Sequence, residues 1–351
     1  MPEDATLTDQ LRRRIAASGP ISVAEYMREA NAAYYAAGDP FGAGGDFVTA
    51  PEISQMFGEM VGLWLADLWI RAGRPEPVHY VELGPGRGTL AHDALRSATG
   101  FGLSPSVQLV ETSAALRSAQ RERLPLAEWH DSIESLPRDG PLLIVANEFF
   151  DALPVRQMIA TEDGWRERMV ALDGDDGFAA ETGTRAVDAL VPDAVRGAPV
   201  GSIYEHCPDA ATILFDLLRR IAAQGGALLA IDYGYDRSGI GETLQAVKDH
   251  ARAEPFADPG AVDLTAHVNF QELANIGRVA EMGVHGPVGQ GRWLAMLGIV
   301  TRARTLASAA PDQRSAIAAA LKRLTAPDEM GELFKVLGFT APGWPTPEGF
   351  A

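Results

Sequence analysis

The sequence predicts an α/β fold built on a parallel sheet. Three observations carry that reading: a strand that runs into the glycine-rich turn Val81-Glu82-Leu83-Gly84-Pro85-Gly86-Arg87-Gly88-Thr89, a β/α alternation that continues beyond it, and polar or acidic residues at successive strand ends. Residues 78–83 are apolar apart from His79 and Glu82, and 90–97 suit a helix. Strand, glycine turn and helix together make a site for a nucleotide-like ligand outside the carboxyl end of a parallel strand. The glycines permit a tight turn and close approach of backbone to ligand, and the helix start adds N–H groups that lack helical partners.

Taken in order, the elements support this class. Leu7, Leu11 and Ile15 share a helix face that Gly19-Pro20 ends, and Ser22 with Glu25 reads as a capping box for a second helix. A glycine-rich stretch follows, and Thr49-Ala50-Pro51-Glu52 reads as another capping box before a long helix marked by Ile53, Phe57, Met60, Trp64 and Leu68. These elements form a helical N-terminal extension with a glycine-rich loop over 1–74. Beyond the Gly84 turn, strands are expected at 107–110, 127–130 and 142–146, the last a continuous apolar run typical of a central parallel strand. Residues 155–159 and 165–172 read as a hairpin about Asp163-Gly164, followed by a polar, acidic stretch. A helix from Pro208, a buried strand at 227–231, two helical stretches at 291–307 and 313–324 and a last helix-then-strand at 328–339 complete the chain. The main domain is expected over 75–351, with insertions at about 155–205 and 236–275.

Composition narrows the function. The chain has 351 residues, 46% of them hydrophobic, enough for a sizeable core. Cys207 is the single cysteine, which excludes a disulfide framework and a cysteine-built zinc site. A formal net charge of −17 argues against nucleic acid and favours a basic protein or cationic ligand. No metal cluster is evident. Residues 1–4 lack a basic or apolar leader, so a cytoplasmic location is expected if the chain is bacterial. The most apolar helix, 56–70, is interrupted by Glu59 and Asp67 and is too short to span a bilayer.

The turn reads G-x-G-x-G, with Thr89 where the dinucleotide fingerprint has its third glycine. Glu82, two residues before the first glycine, would repel a pyrophosphate. It suits a cationic or zwitterionic ligand such as S-adenosylmethionine, which carries an amino group and a sulfonium. Glu111, 23 residues after Gly88, stands where a ribose-binding acid belongs, and Asp131 ends the next strand, within reach of an adenine amino group. Asn147-Glu148-Phe149-Phe150-Asp151 places two carboxylates and an amide after the central strand, with aromatic rings to exclude water. A guanidinium is protonated in solution, and a carboxylate can bind two of its N–H groups and fix its plane. Glu148 is therefore the first candidate for substrate, with Asp151 beside it. His206 beside Cys207 could suggest a nucleophile and base, but the sequence names no third member of a triad, and the pair reads as structural.

Together these motifs resemble the MidA-like class of S-adenosylmethionine-dependent methyltransferases, which includes the mitochondrial complex I assembly factor 7. The resemblance runs nearly end to end: Gly45-Asp46-Phe47-Val48-Thr49-Ala50-Pro51-Glu52-Ile53-Ser54, the Val81–Leu90 turn, Asn147-Glu148-Phe149-Phe150-Asp151-Ala152-Leu153-Pro154-Val155, Gly164-Trp165-Arg166-Glu167, Asp232-Tyr233-Gly234 and Asp263-Leu264-Thr265-Ala266-His267-Val268-Asn269-Phe270. It implies a Rossmann-like, seven-stranded fold and S-adenosyl-L-methionine as cofactor. It also implies a protein arginine methyltransferase making symmetric dimethylarginine on a core subunit of respiratory complex I. Carried over, it places Glu82, Gly84, Gly86, Glu111 and Asp131 at the cofactor and Glu148 at the substrate guanidinium; beside these, Gly88 and Asn147 are candidates for the cofactor, Asp151 for the reaction, and Asp46, Thr49, Glu52, Asp232 and His267 for the substrate pocket. Position 267 varies in the family, which weakens His267 as a catalyst. A small-molecule methyltransferase and a non-catalytic assembly factor that binds the cofactor remain alternatives, and a homodimer stays open. A nicotinamide dehydrogenase is disfavoured by Glu82 and Thr89.

Overall fold

A computed structural model describes residues 6–37, 49–174, 177–248 and 251–350. They form two compact units.

The larger unit comprises Phe41–Phe150, Ala211–Asp236 and Val268–Ala351. Its sheet is built from β1 (His79–Leu83), β2 (Ser106–Val110), β3 (Glu128–His130), β4 (Leu142–Asn147), β5 (Gly226–Tyr235), β6 (Gly283–Gly289) and β7 (Phe334–Thr340). Their spatial order is β6-β7-β5-β4-β1-β2-β3, with the two-residue strand Val268–Asn269 beside β5. β1 to β5 pair in parallel, whereas β7 runs antiparallel between β5 and β6. The chain order therefore reverses between β1 and β4, the switch point at which doubly wound sheets bind ligands. β4 and the first seven residues of β5 are buried throughout, which accounts for their unbroken apolar runs.

Helices Gln55–Arg71 and Thr89–Thr99 pack closely beside this sheet. A Cβ on Gly62 would lie 2.1 Å from Ala94 O, so only glycine lets the two backbones come so near. Trp64, Leu68, Tyr80, Ala94, Leu143 and Leu229 belong to the core they share. Glu59 is buried on the same helix and forms an ion pair with Arg302 at 2.7 Å.

The smaller unit comprises Met1–Pro40, Asp151–Ala210 and Arg237–His267. Strands Ile21–Ser22, Gly164–Asp173, Arg156–Thr161 and Ile203–His206 form one sheet, with Gly177–Ala186 paired to Gly164–Asp173. Ala251–Ala253, Gln245–Lys248 and Asp263–Thr265 form another. Helices Leu7–Ser18 and Val23–Ala37 bury Leu11, Ile15, Tyr26 and Met27 with Val170, Leu244 and Leu264.

The compact units thus do not follow a boundary at residue 74. An amphipathic helix goes where an apolar face is available, and the inserted segments supply one for the first two helices. Three local expectations also change. The long helix starts at Gln55 rather than Ala50, because Ser54 caps it by accepting from Met56 N–H, and the Thr49 side chain makes no cap bond. The helix expected over 291–307 divides into Gln290–Met296 and Ile299–Ala309 around Gly298, whose φ is +92°. β6 was not expected, since Gly283, Gly286, Pro287 and Gly289 are poor strand formers; it lies at the sheet edge, where such residues are tolerated.

Candidate active site

The site begins where β1 ends. Gly84 and Gly86 turn the chain at φ of +59° and +53°, and the helix Thr89–Thr99 starts three residues after Gly86. At Gly84 a side chain would be doubly penalised: its Cβ would also meet Phe149 Cδ2 at 3.2 Å. Two bonds hold the turn, Gly84 N–H donating to Val110 O at 3.0 Å and Gln120 Nε2 donating to Gly86 O at 2.7 Å.

The turn opens on a small cleft of about 40 Å³ that is partly open to solvent. Of the residues expected at a site, Thr49, Glu52, Glu82, Gly84, Gly86, Asn147 and Glu148 all line this cleft. Arg87, Thr89 and Leu90 line it as well, although none of them is among the site residues expected from sequence. Thr89 had a readable signal, since it replaces the third fingerprint glycine. Its hydroxyl donates to Glu52 and accepts from Arg123. Glu52 and Glu148 line the cleft with one guanidinium, Arg87, and Glu82 adds a third carboxyl group, so the lining favours a cation.

Glu82 is 3% exposed, and burial pushes its carboxyl up to about 8. Tyr80 Oη donates to its Oε2 at 2.5 Å, and Ala91 N–H also bonds to it. Glu111, buried just after β2, accepts from Ser113 N–H at 2.7 Å, and burial raises its pKa too.

Glu148 directly follows β4 in a left-handed conformation, φ +51°, which is uncommon for a residue with a side chain. Its N–H donates to Ile231 O at 2.9 Å, and its Oε1 accepts from Ala50 N–H at 3.2 Å and Asn147 Nδ2 at 3.1 Å. Asp232 secures the turn from the next strand. Its Oδ2 accepts from Phe149 N–H at 3.2 Å and Phe150 N–H at 3.0 Å, and its Oδ1 from Tyr233 N–H at 3.0 Å.

Several expected residues stand elsewhere. Asp232 is fully buried under the turn, and three backbone donors occupy its carboxylate, so it holds the site rather than lining a substrate pocket. Asp131 directly follows the three-residue β3, is exposed and is ion-paired with Arg117 at 2.6 Å. Neither Asp131 nor Glu111 lines the cleft; Arg117 joins them, donating also to Glu111 O. Gly88, at φ +76°, is the N-cap of the following helix. Asp151 and His267 belong to the smaller unit, where Asp151 O accepts from Ala266 N–H at 2.9 Å. His267 is half-buried, its N–H donates to Thr243 Oγ1 at 2.9 Å, and burial lowers its imidazole pKa. Asp46 lies outside the described residues. Among the described residues no grouping of His, Cys, Asp and Glu could hold a metal, and no helix is long and apolar enough to cross a membrane.

Sheet order, glycine turn and acidic cleft define a doubly wound α/β protein suited to a positively charged, nucleoside-bearing ligand. Its relatives supply the chemistry. Residues 60–288 match the family of S-adenosyl-L-methionine-dependent methyltransferases, and the chain belongs to that family. The fly protein named protein arginine methyltransferase NDUFAF7 homolog, mitochondrial, is 38% identical over 95% of this chain and 84% of its own length. The human protein arginine methyltransferase NDUFAF7, mitochondrial, is 35% identical over 95% of this chain and 83% of its own length. A crystal structure from Burkholderia thailandensis, bound to S-adenosyl-homocysteine, superposes with a TM-score of 0.85 at 28% identity, covering 98% of this chain and 94% of that one.

The protein is therefore an S-adenosyl-L-methionine-dependent methyltransferase. The residues present fit that cofactor: a left-handed glycine turn that leaves backbone open to a ligand, and a lining richer in carboxylates than in cations. The cytoplasmic expectation is overturned by the relatives, which are named as mitochondrial. The look of four N-terminal residues is a poor guide to compartment, because targeting signals are read by receptors and do not follow from the fold.

Proposed function

We propose that this methyltransferase modifies arginine in a protein substrate, with Glu148 holding the guanidinium. Glu148 carries the reading: a carboxylate held in a strained turn, in an acidic cleft beside the glycine loop. The names of the relatives agree with it. A substrate guanidinium would enter fully protonated, and Glu148 would take two of its N–H groups and fix its plane. That contact leaves the attacked nitrogen oriented and richer in electron density. The cofactor supplies an electrophilic methyl on sulfur, so positioning is the main task left to the protein. Transfer to nitrogen would release S-adenosylhomocysteine and one proton, and the Glu148 carboxylate would take that proton from the nitrogen. The Phe149 and Phe150 rings, packed edge to face at 5.4 Å, would limit water beside Glu148.

At finer grain, the product is symmetric dimethylarginine and the substrate a core subunit of respiratory complex I, methylated during assembly. The likeness to a class containing a complex I assembly factor supports this. The test is transfer of labelled methyl to complex I subunits and arginine peptides, with the product read by mass spectrometry. Glu148→Gln is expected to lower transfer at least about 100-fold while S-adenosylhomocysteine binds as before. Unchanged turnover would refute the role of Glu148. Cofactor binding with no transfer to any protein would point to a non-catalytic factor, and transfer only to small molecules would remove the arginine reading.

A further inference from the structure

Asn147 ends β4, immediately before Glu148, and is 8% exposed. It lines the same cleft as Glu82, Gly84 and Glu148. Its Nδ2 donates to Glu148 Oε1 at 3.1 Å. A carboxylate can only accept, so this contact decides which end of the amide faces Glu148. The other end, Oδ1, is buried and has no hydrogen-bond partner among the described residues. Buried acceptors are nearly always satisfied, and one left over on a residue that lines a ligand cleft calls for a donor on the ligand.

We propose that Asn147 Oδ1 accepts an N–H of the substrate guanidinium, completing with Glu148 a receptor of one anionic and one neutral acceptor. This rests on the arginine reading above and deepens it. A guanidinium offers five N–H donors in one plane, more than a single carboxylate can use. A neutral second acceptor adds direction without adding a further buried negative charge to the cleft. The amide is tied to Glu148 by both chain and hydrogen bond, which assigns it to the substrate rather than to the cofactor. A lysine ammonium has no plane to match, so the pair discriminates by shape as well as charge.

The test uses the full chain loaded with S-adenosylhomocysteine, titrated with N-methylguanidine, together with kinetics on an arginine peptide. Asn147→Ala is expected to weaken N-methylguanidine binding and lower kcat/KM by about tenfold or more, with S-adenosylhomocysteine affinity held within about twofold. Asn147→His keeps one donor and one acceptor and is expected to restore most of the loss. Weaker S-adenosylhomocysteine binding with unchanged N-methylguanidine binding would give the acceptor to the cofactor and overturn the proposal. So would an alanine variant equal to the wild type in every readout, or a wild-type complex that binds no N-methylguanidine. If the wild type methylates no arginine while the alanine variant still loses N-methylguanidine binding, the arginine reading fails and the acceptor assignment stands.

Discussion

Glu82 has an ordinary carboxyl value of 4.5 that burial pushes up to about 8. Between those values the folded protein keeps a proton that the unfolded chain has lost. This group therefore lowers stability as pH rises through that window. A cation placed beside the carboxylate favours its ionised form, so cofactor binding should expel the proton. Affinity for S-adenosylhomocysteine is expected to rise by up to about tenfold per pH unit below pH 8 and then level off. Calorimetry against Glu82→Gln separates this from titration of the ligand's own amine, and parallel pH profiles would remove Glu82 from the site. Asp232 acts one step further back, through backbone donors it shares with the Glu148 turn. Asp232→Asn keeps an acceptor but loses the charge that strengthens those bonds. It is expected to lower kcat about tenfold while leaving S-adenosylhomocysteine affinity within about threefold. Equal losses in both would mark Asp232 as merely structural.

Single elements owe their positions to small residues as much as to apolar ones. Helix Gln55–Arg71 approaches Thr89–Thr99 through Gly58 and Gly62, where an added Cβ would lie 2.7 Å from Asp93 Cβ and 2.1 Å from Ala94 O. The second helix grows out of the glycine turn, so the close approach also steadies the cleft. Gly62→Ala gains helix propensity but must push the helices apart, and a loss of about 3 kcal/mol is expected in denaturant unfolding. A neutral or stabilising result would mean that the contact is looser than its geometry indicates. β4 and β5 were legible as strands because burial on both faces writes an unbroken apolar run. β6 was not, because its glycines and proline write a turn-like sequence that edge position tolerates.

The whole molecule is strongly acidic, with a formal net charge of −17, and its cleft carries the same sign. Such a field draws a basic substrate in, and salt screens it. For a basic arginine peptide, KM is expected to rise about fivefold between 50 and 300 mM salt with kcat nearly unchanged. A KM indifferent to salt would show that the acidic charge serves solubility alone. Association of the chain into units was hidden at this scale. Nothing local in Leu11, Ile15 or Tyr26 shows that their faces pack with Val170 and Leu264, far along the chain.

Read without coordinates, this chain already declares its doubly wound sheet, its glycine turn, its acidic strand ends and its methyltransferase kinship. Those features are local: a hydropathy period, a backbone need for glycine and a set of short motifs each lie within a few neighbouring residues. Only the tertiary structure decided which polar residues meet. It brought Glu52, Glu82, Asn147 and Glu148 to one cleft, left Asp131 outside it and put Asp232 to work as a backbone clamp. Convergence depends on strand order, on where each strand stops and on which donors each carboxylate already holds, and those are set by contacts between segments distant in the chain.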